Sequence, residues 1–566
     1  MNTSIPIVPH VAPDAFHQLR PGVRSKGLRV MFVIRSSDFI DPMGIAYLSA
    51  VTKQAGHETN AIIMEECNPY EEIRSYKPHV IAYSAVTGEH QAYFEFNRQV
   101  KEQFPDTFTI MGGAHPTYYP KCIQYQPIDA ICMGEGEGAF VEMLERIAGG
   151  QSLEYVKNLA VPGGPINSKR DLIGDLDTLP LPDRDLLFSR TSMGQFPLKT
   201  FMTSRGCPFP CTYCFEPVLK QQYKEEKAFG PRMKLDETRS SGKYERRHSP
   251  ERVIDEILDL KKRYPVEFIK FEDDLFVLHV DRWLHEFVAL YPKKVGIPFN
   301  ALVRVDSITE EMARLLKEAG CVSLNIAVDS ASQKVRERVV KKKYSNQEVI
   351  EGFHLLERYG IHVFNNMILG LPDTTIDDDK DAVRLNIASH VKFSSFSILM
   401  PYPGTEIGKY CEERGYHQMD VDKFGESLLE RSPLSCFSEE EKDIQKNILY
   451  LGGLAAWQPW MANFILNRAV HWRSRMAIRL FMLIYYMVKV ITLKKYIYSI
   501  KVKPVQGLKD FMKGFKIEVL RTMPELAKTI TYPAPKPAEV NRGNAGKNVW
   551  VAGNDRVKRL EERCGG

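Results

Sequence analysis

The chain has 566 residues, of which 44% are hydrophobic and 26% are charged, a composition typical of a globular protein with three or four domains. Its 76 Lys and Arg residues against 71 Asp and Glu residues leave a net charge of +5, which is too small to indicate nucleic acid as a partner. Ten cysteines in this length exclude a disulfide scaffold, and the first residues lack a secretory signal, so we expect a cytoplasmic protein.

After an N-terminal extension (residues 1–27), short apolar runs alternate with helical patterns over residues 28–150. Five buried strands are predicted, at residues 28–34, 57–64, 79–85, 108–115 and 130–138. This alternation indicates a doubly wound, Rossmann-like parallel sheet, in which ligands bind at the carboxyl ends of the strands.

Glycines gather at the ends of the fourth and fifth predicted strands, at positions 112, 113, 134, 136 and 138. Glycine lets a backbone approach a ligand closely, so two such clusters at neighbouring strand ends favour a ligand with a nucleotide tail. Tight strand-to-helix turns are the alternative explanation, and the sequence leaves both open.

A linker rich in Gly, Pro and Asp (residues 151–195) leads to a second alternation over residues 196–405. Six strands are predicted there, at residues 198–204, 266–274, 298–305, 321–329, 361–370 and 393–401. Six strands with helical crossovers indicate a partial (βα)6 barrel of the TIM type, an incomplete relative of the eight-stranded barrel. In such barrels the active site lies at the carboxyl ends of the strands.

Residues 406–535 are predicted to be helical, and residues 536–566 to form a flexible tail. Segment 468–503 interleaves basic and aromatic residues around an uncharged apolar run at 480–488. A helix needs about 20 apolar residues to span a bilayer, so this run is typical of an interfacial helix in peripheral contact with a membrane. The alternative is a helix that closes the barrel and buries its apolar face there.

Three cysteines, Cys207, Cys211 and Cys214, lie within eight residues at C-x3-C-x2-C spacing, just after the first strand of the second alternation. A structural zinc site uses four ligands, usually supplied as two closely spaced pairs, and no second cluster of this kind occurs in the sequence. A 4Fe–4S cluster normally takes four thiolates. With three, one iron keeps a position at which a substrate can bind.

This motif, with Tyr213 before its third cysteine, resembles the radical S-adenosylmethionine (radical SAM) family. Later segments resemble that family's strand motifs in the same order: FEDDLF at 271–276, VDSASQ at 328–333, MILGLPDTT at 367–375 and MPYPGT at 400–405. The resemblance implies that Tyr213, Asp329, Ser330 and Gly370 belong to the S-adenosylmethionine site. Asp329 stands where the family usually has Glu, which shortens the reach of the carboxylate by one methylene.

The N-terminal sheet is similar to the cobalamin-binding subfamily of radical SAM enzymes, on the segments at 41–58, 112–120 and 133–140. The resemblance implies that residues 28–150 form a cobalamin-binding domain. It assigns the following residues to the groove for the nucleotide tail and the end of the third strand: Ser84, Thr87, Gly112, Gly113, Gly134, Glu135 and Gly136. No D-x-H-x-x-G motif occurs in this domain, so no histidine is nominated as a lower cobalt ligand.

The resemblance implies an enzyme whose cofactors are a 4Fe–4S cluster, S-adenosylmethionine and cobalamin, with an electron donor such as flavodoxin or ferredoxin. We predict cleavage of S-adenosylmethionine to a 5′-deoxyadenosyl radical and methylation of an unactivated carbon of a small or lipid-like substrate. Asp273, Asp274 and Arg304 are candidates for contacts with substrate or S-adenosylmethionine at the barrel mouth. Arg304 and Asp306 equally suit a structural ion pair.

Three alternatives stay open on the sequence. The first is a cyclase or oxidoreductase that keeps both cofactors and transfers no methyl group. The second is an enzyme like the transfer-RNA methylthiotransferases, which would carry a second cluster on N-terminal cysteines. The third is a metal-binding protein without catalytic activity.

Overall fold

The structure is a computed structural model that describes residues 27–36, 41–230, 244–417 and 431–500, all within one compact unit. The predicted extension up to residue 26, the tail at 536–566 and the end of segment 468–503 lie outside the described residues.

The first part of the chain forms a six-stranded sheet with the order β2-β1-β3-β4-β5-β6. Its strands are β1 (Arg29–Ile34), β2 (Glu58–Ile63), β3 (Val80–Ser84), β4 (Phe108–Gly112), β5 (Ala130–Cys132) and β6 (Leu159–Ala160). Its helices are α1 (Met43–Gln54), α2 (Pro69–Tyr76), α3 (His90–Gln103), α4 (Ala114–Tyr118) and α5 (Glu137–Gly149). The four pairings among β1 to β5 are all parallel and make a doubly wound sheet.

The strand order reverses at β1, which pairs in parallel with both β2 and β3. Such a switch point opens a crevice at the carboxyl ends of the strands, and the glycines at the ends of β4 and β5 lie at that edge. β6 comes from the predicted linker and pairs antiparallel with β5. The short helix α6 (Asp185–Phe188) follows in the same linker.

The second part forms a six-stranded parallel sheet in the order β7-β10-β11-β12-β13-β14. Its strands are β7 (Leu198–Phe201), β10 (Phe268–Phe271), β11 (Phe299–Leu302), β12 (Cys321–Asp329), β13 (His362–Leu369) and β14 (Phe393–Ile398). The two-residue strands β8 (Ser204–Arg205) and β9 (Arg246–Arg247) pair antiparallel beside it. The sheet stays open between β7 and β14, so the predicted fold class, a Rossmann-like domain followed by a partial (βα)6 barrel, is confirmed.

Side chains cap the first turn of five of the seven described barrel helices. The seven helices are α7 (Glu216–Glu225), α8 (Pro250–Arg263), α9 (Arg282–Lys294), α10 (Glu310–Ala319), α11 (Gln333–Arg338), α12 (Asn346–Arg358) and α13 (Ile376–Ala388). The Ser249 side chain accepts a hydrogen bond from the backbone N–H of Arg252 at the start of α8. Ser345 with Glu348, and Thr375 with Asp378, form capping boxes at α12 and α13, which satisfy backbone N–H groups that a helix end leaves without partners.

The described C-terminal residues, 406–417 and 431–500, are mostly helical and pack beside the last strand of the barrel. Their helices are α14 (Glu406–Glu413), α15 (Glu439–Trp457), α16 (Ala462–Asn467) and α17 (Arg475–Thr492), with a π-helical turn at Leu493–Ile497. α15 packs on β14 and α13, and α17 packs on α15. The described C-terminal helices therefore close the sheet edge at β14.

α17 and its π-helical turn form one continuous helix that is longer than the apolar run suggests. Arg475–Ile497 spans 23 residues and contains an 18-residue window with a mean hydropathy of 1.8, of which 28% is buried. By length and composition alone this helix could cross a membrane, so the run at 480–488 underestimates the apolar stretch. One side packs against α15, as the barrel-closing alternative predicts, while the other side carries exposed apolar residues.

Candidate active site

The cysteine motif occupies the loop between β8 and α7, at the carboxyl end of β7. The chain turns into this loop at Gly206, whose φ is +88° and where a Cβ would lie 2.6 Å from the carbonyl oxygen of Tyr244. Any side chain would clash there, so glycine is needed directly before Cys207.

The middle of the loop is fixed by Thr212. Its hydroxyl donates to the carbonyl oxygen of Val339 at 2.6 Å, and its own carbonyl oxygen accepts from the N–H of Ile407 at 3.0 Å. The loop is therefore held between the segment after α11 and the start of α14. The anchored residue, Thr212, lies between Cys211 and Cys214.

The three thiols have surroundings that suit thiolate ligands of a metal cluster. Burial raises the pKa of Cys207 and Cys214 to about 12, so both stay protonated until a cation replaces the proton. Two groups favour the charged form: the N–H of Glu216 lies 3.4 Å from Cys214 Sγ, and Arg304 Nη1 lies 3.7 Å from Cys211 Sγ.

The spacing of the thiols argues against a mononuclear site. Among the described residues, no three or more His, Cys, Asp or Glu side chains come together closely enough to hold one metal ion. In a cubane cluster each thiolate binds a different iron, so the three sulfurs need not converge. The donor set fits a 4Fe–4S cluster in this respect.

Arg304 is fixed by three neighbours. Its guanidinium forms a two-pronged ion pair with Asp306, at 2.8 and 2.7 Å, and lies 3.7 Å from the centroid of the Phe209 ring. The structural ion pair considered for Arg304 is therefore present, and it aims the remaining nitrogen at Cys211. Direct contact between Arg304 and a substrate stays a prediction.

The two acidic candidates after β10 have different surroundings. Asp273 accepts hydrogen bonds from the N–H groups of Thr203 and Ser204, at 2.7 and 2.5 Å, and from the Ser204 hydroxyl at 2.7 Å. It thus holds the strand that leads into the cysteine loop, and burial raises its pKa to about 7. Asp274 instead lines a cavity, and burial raises its pKa too.

The end of β12 carries a buried ion pair that the sequence did not reveal. Asp329, at a φ of +69°, lies 2.6 Å from Lys342 Nζ. Lys342 also donates to the carbonyl oxygen of Ala327 at 2.6 Å and lies 5.7 Å from the centroid of the Tyr213 ring. Lys342 therefore connects the strand end to the cysteine loop, and the only sequence signal for it is the basic run at 341–343.

Ser330 and Gly370 lie at neighbouring strand ends. The Ser330 hydroxyl accepts from the N–H of Ser332 at 3.2 Å. Gly370 has a φ of +66°, and a Cβ there would lie 3.1 Å from the Gln445 side chain of α15. Its N–H donates to buried Asp379 at 3.2 Å, so the C-terminal helices contact the barrel at the end of β13.

A cavity of about 450 Å³ lies between the N-terminal sheet and the cysteine loop. It brings together seven of the residues predicted for the site, namely Ser84, Gly112, Gly113, Gly134, Glu135, Gly136 and Asp274. Gly206 and Glu216, which flank the cysteines, line the opposite side. The remaining predicted residues do not line it: Thr87, Cys207, Cys211, Tyr213, Cys214, Asp273, Arg304, Asp329, Ser330 and Gly370.

The glycine wall of the cavity consists of Gly112, Gly113, Gly134 and Gly136. At one of these positions glycine leaves space for a bulky ligand, and at two others it allows neighbouring protein atoms to come close. A Cβ at Gly112 would have no neighbour closer than 3.9 Å, so the backbone there is open to a ligand. At Gly113 a Cβ would lie 2.7 Å from the carbonyl oxygen of Ala85, and at Gly134 it would lie 2.5 Å from Tyr223 Oη. Glycine is thus required at these two turns whether or not a ligand binds.

Four charged residues join the two sides of the cavity. Arg205, the residue before Gly206, pairs with Glu137 at 2.6 Å and with Glu135 at 3.3 Å, and Arg246 pairs with Glu135 at 2.9 Å. Burial alone would raise the pKa of Glu135, but Arg246 and Arg205 together lower it. The Glu135 carboxylate is committed to these arginines, and its contact with a nucleotide tail stays a prediction.

The buried histidines His90 and His115 of the N-terminal domain do not line the cavity. No histidine is among the described residues that line it. His90 and His115 stack on each other with ring centroids 3.9 Å apart, and His115 Nδ1 lies 3.1 Å from the Thr87 hydroxyl. Burial lowers the pKa of His115 to about 3, as expected for a neutral core histidine.

Two family descriptions match the chain: the radical SAM superfamily over residues 201–385 and the B12 binding domain over residues 30–144. The chain is 28% identical over 381 residues, 65% of its length and 78% of the relative's, to the uncharacterized methyltransferase PH0819 of Pyrococcus horikoshii. It is 24% identical over 397 residues, 65% of each chain, to the anaerobic magnesium-protoporphyrin IX monomethyl ester cyclase of Rubrivivax gelatinosus.

Among solved structures, the chain shares its fold with the cobalamin-dependent S-adenosylmethionine radical enzyme OxsB, with aqua-cobalamin and S-adenosylmethionine bound. The TM-score is 0.57 at 14% identity, covering 86% of this chain and 83% of that one. The two matching families imply a 4Fe–4S cluster and S-adenosylmethionine at the barrel and cobalamin at the N-terminal sheet. The chain therefore belongs to the radical SAM superfamily and carries a B12-binding domain ahead of its radical SAM barrel.

Proposed function

We propose that this protein is a cobalamin-dependent radical SAM methyltransferase that methylates an unactivated carbon of a small or lipid-like substrate. The observation that carries the proposal is the shared cavity, in which the glycine wall of the B12-binding domain faces the residues that flank the cluster cysteines. A methyl group that passes from one cofactor site to a carbon radical made at the other needs such a common space.

When bound, the 4Fe–4S cluster supplies the electron that cleaves S-adenosylmethionine to a carbon-centred radical, and cobalamin supplies the methyl group. The chain's own part is to hold and orient. Cys207, Cys211 and Cys214 would each bind one iron, and the motif offers no fourth thiolate, so one iron is left for the amino and carboxylate groups of S-adenosylmethionine.

The walls of the cavity suit a reaction that must exclude water. Apolar side chains from both domains line it, among them Phe32, Ile45, Leu48 and Met202. A dry cavity protects a reactive intermediate from side reactions. An electron donor such as flavodoxin or ferredoxin would have to reach the cluster from outside this space.

A few polar groups on the barrel side could orient a substrate. Glu216 accepts a hydrogen bond from the Tyr244 hydroxyl at 2.9 Å, and burial raises its pKa. Asp274 lies in the same lining, and its nearby charge raises the Glu216 pKa further. We expect these carboxyl groups to contact hydroxyl, amide or ring nitrogen groups of the substrate.

The test is an anaerobic reaction of the loaded enzyme with S-adenosylmethionine deuterated on its methyl group, a chemical reductant and a metabolite extract. Methyl transfer predicts a product that carries all three deuterium atoms, and 5′-deoxyadenosine that depends on Cys211, so Cys211→Ala is the control. If 5′-deoxyadenosine forms in step with a product that carries no label, the enzyme is a cyclase or oxidoreductase and the proposal fails.

A further inference from the structure

The outer face of α17 carries an apolar stripe that the active site does not use. Met476, Leu480, Leu483, Met487 and Ile491 follow one another at intervals of four, three, four and four residues, so they share one side of the helix. Their exposed fractions run from 41% to 82%. Exposed apolar rows of this length on a folded protein usually mark an interaction surface.

The opposite side of the same helix is packed into the protein. Phe481, Met482 and Tyr486 are buried, and α17 packs along α15. At its end, the Ser323 hydroxyl of β12 donates to the carbonyl oxygen of Ile497 at 2.8 Å. The helix is therefore packed along α15 and tied to β12 at its end, although its length and hydropathy would suffice to cross a membrane.

Aromatic side chains extend the stripe beyond α17. Trp472 stacks on Phe481 with ring centroids 6.1 Å apart and meets Phe464 of α16 edge-on at 6.0 Å. Trp472 and Phe464 are themselves 47% and 51% exposed, and Trp460 just before α16 is 79% exposed. Tryptophan is the residue most typical of the membrane–water interface, because its ring is apolar and its N–H is polar.

The sequence that forms this surface is basic, although Arg473 pairs with Glu440 at 3.1 Å. From residue 444 to residue 509 the sequence contains no Asp or Glu and eleven Lys and Arg residues. Within the described part of that range the basic residues are Lys446, Arg468, Arg473, Arg475, Arg479, Lys489, Lys494 and Lys495. A second copy of the chain would bring the same positive charge face to face, which disfavours self-association, whereas a surface of anionic headgroups is complementary to it.

We propose that the α17 surface (the five stripe residues with Trp460, Phe464 and Trp472) docks on a lipid bilayer that contains anionic lipids. The helix lies in the plane of the interface, with the stripe in the headgroup and upper acyl region and the basic residues against phosphate groups. This is the arrangement expected of a helix that is apolar on its outer face, anchored on its inner face and surrounded by cations. The inference does not depend on methyl transfer.

The test is flotation of the full-length, cofactor-loaded protein with vesicles of phosphatidylcholine alone or mixed with phosphatidylglycerol. We expect the protein to float with the mixed vesicles, to float far less with the neutral ones, and to be released by high salt. Leu480→Asp combined with Met487→Asp should reduce the bound fraction about tenfold, with 5′-deoxyadenosine formation unchanged. Tyr155→Asp is the control, because it also replaces a large exposed side chain by a carboxylate, at a position that is 75% exposed elsewhere on the molecule, and it should float like the wild type.

Several results would overturn the proposal. The first is that the protein does not float with the mixed vesicles. The second is that the Leu480→Asp and Met487→Asp double variant floats as well as the wild type. The third is that, at high salt, the wild type binds neutral vesicles as well as it binds the mixed ones. A concentration-dependent dimer that the double variant abolishes would assign the surface to a second copy instead. Resistance of membrane-bound protein to alkaline carbonate extraction would show a helix that crosses the bilayer.

Discussion

Replacing Arg205 by Met would remove the charge that joins the B12-binding domain to the cysteine loop. The guanidinium reaches Glu137 with one nitrogen and Glu135 with another, and the three side chains are only 18%, 8% and 16% exposed, in that order. Glu135 keeps Arg246 as a partner, whereas Glu137 loses its ion pair. Leaving a buried carboxylate without its partner costs about 3 kcal/mol, and we expect the free energy of unfolding to fall by about that amount.

The assay is anaerobic denaturant unfolding of the cofactor-loaded protein, completed as a double-mutant cycle with Glu137→Gln. If the pair is energetically coupled, the second substitution costs little once Arg205 is Met, and the coupling free energy is about 2 kcal/mol. Arg98→Met is the matched control: Arg98 pairs with Glu95 and Glu102 on the surface of α3, where solvent screening leaves such pairs little effect on stability. Additive losses in the cycle, or an Arg205→Met loss no larger than that of Arg98→Met, would refute the reasoning.

Three further predictions concern the barrel. Burial raises the pKa of Asp379 to about 7 from an ordinary value of 3.8, and a carboxyl with a raised folded-state pKa stabilises the fold at low pH and loses this contribution as pH rises. The thermal midpoint should therefore fall between about pH 4 and pH 7 in the wild type and fall less in Asp379→Asn; equal slopes would contradict this. Arg304→Met removes a positive charge 3.7 Å from Cys211 Sγ and should lower the cluster's reduction potential by on the order of tens of millivolts in an electron paramagnetic resonance titration, with Arg304→Lys close to the wild type. Lys342→Met leaves buried Asp329 without its 2.6 Å partner and should raise the KM for S-adenosylmethionine about tenfold at unchanged iron content, so an unchanged KM would argue against a role for this pair.

The sequence predicts the sheets well because their strands are continuous apolar runs. Residues 30–33 of β1 are buried on both faces, and a strand of this kind needs no tertiary information to be recognised. β6, β8 and β9 were missed, since two-residue strands have no periodicity. The predicted domain boundaries and the cytoplasmic location stay predictions.

The sequence predicts the site only where the functional residues are close together along the chain. The cysteine loop is a short motif, so its residues could be named together. The partners of that loop come from distant elements: Lys342 follows α11, and Glu137 opens α5. Arg205 stands next to the motif, yet its importance depends on carboxylates that only the fold brings within reach. Asp273 could be placed near the loop, but its bonds to backbone N–H groups depend on how β7 and β10 pair.

The most direct test of the central claim is the metal content and cleavage activity of the anaerobically purified protein, with Cys207, Cys211 and Cys214 intact or replaced together by Ala. We predict about four iron ions per intact chain, S-adenosylmethionine-dependent formation of 5′-deoxyadenosine, and loss of both in the triple variant while bound cobalamin is retained. Zinc in place of iron, or 5′-deoxyadenosine formation by the triple variant, would contradict the account.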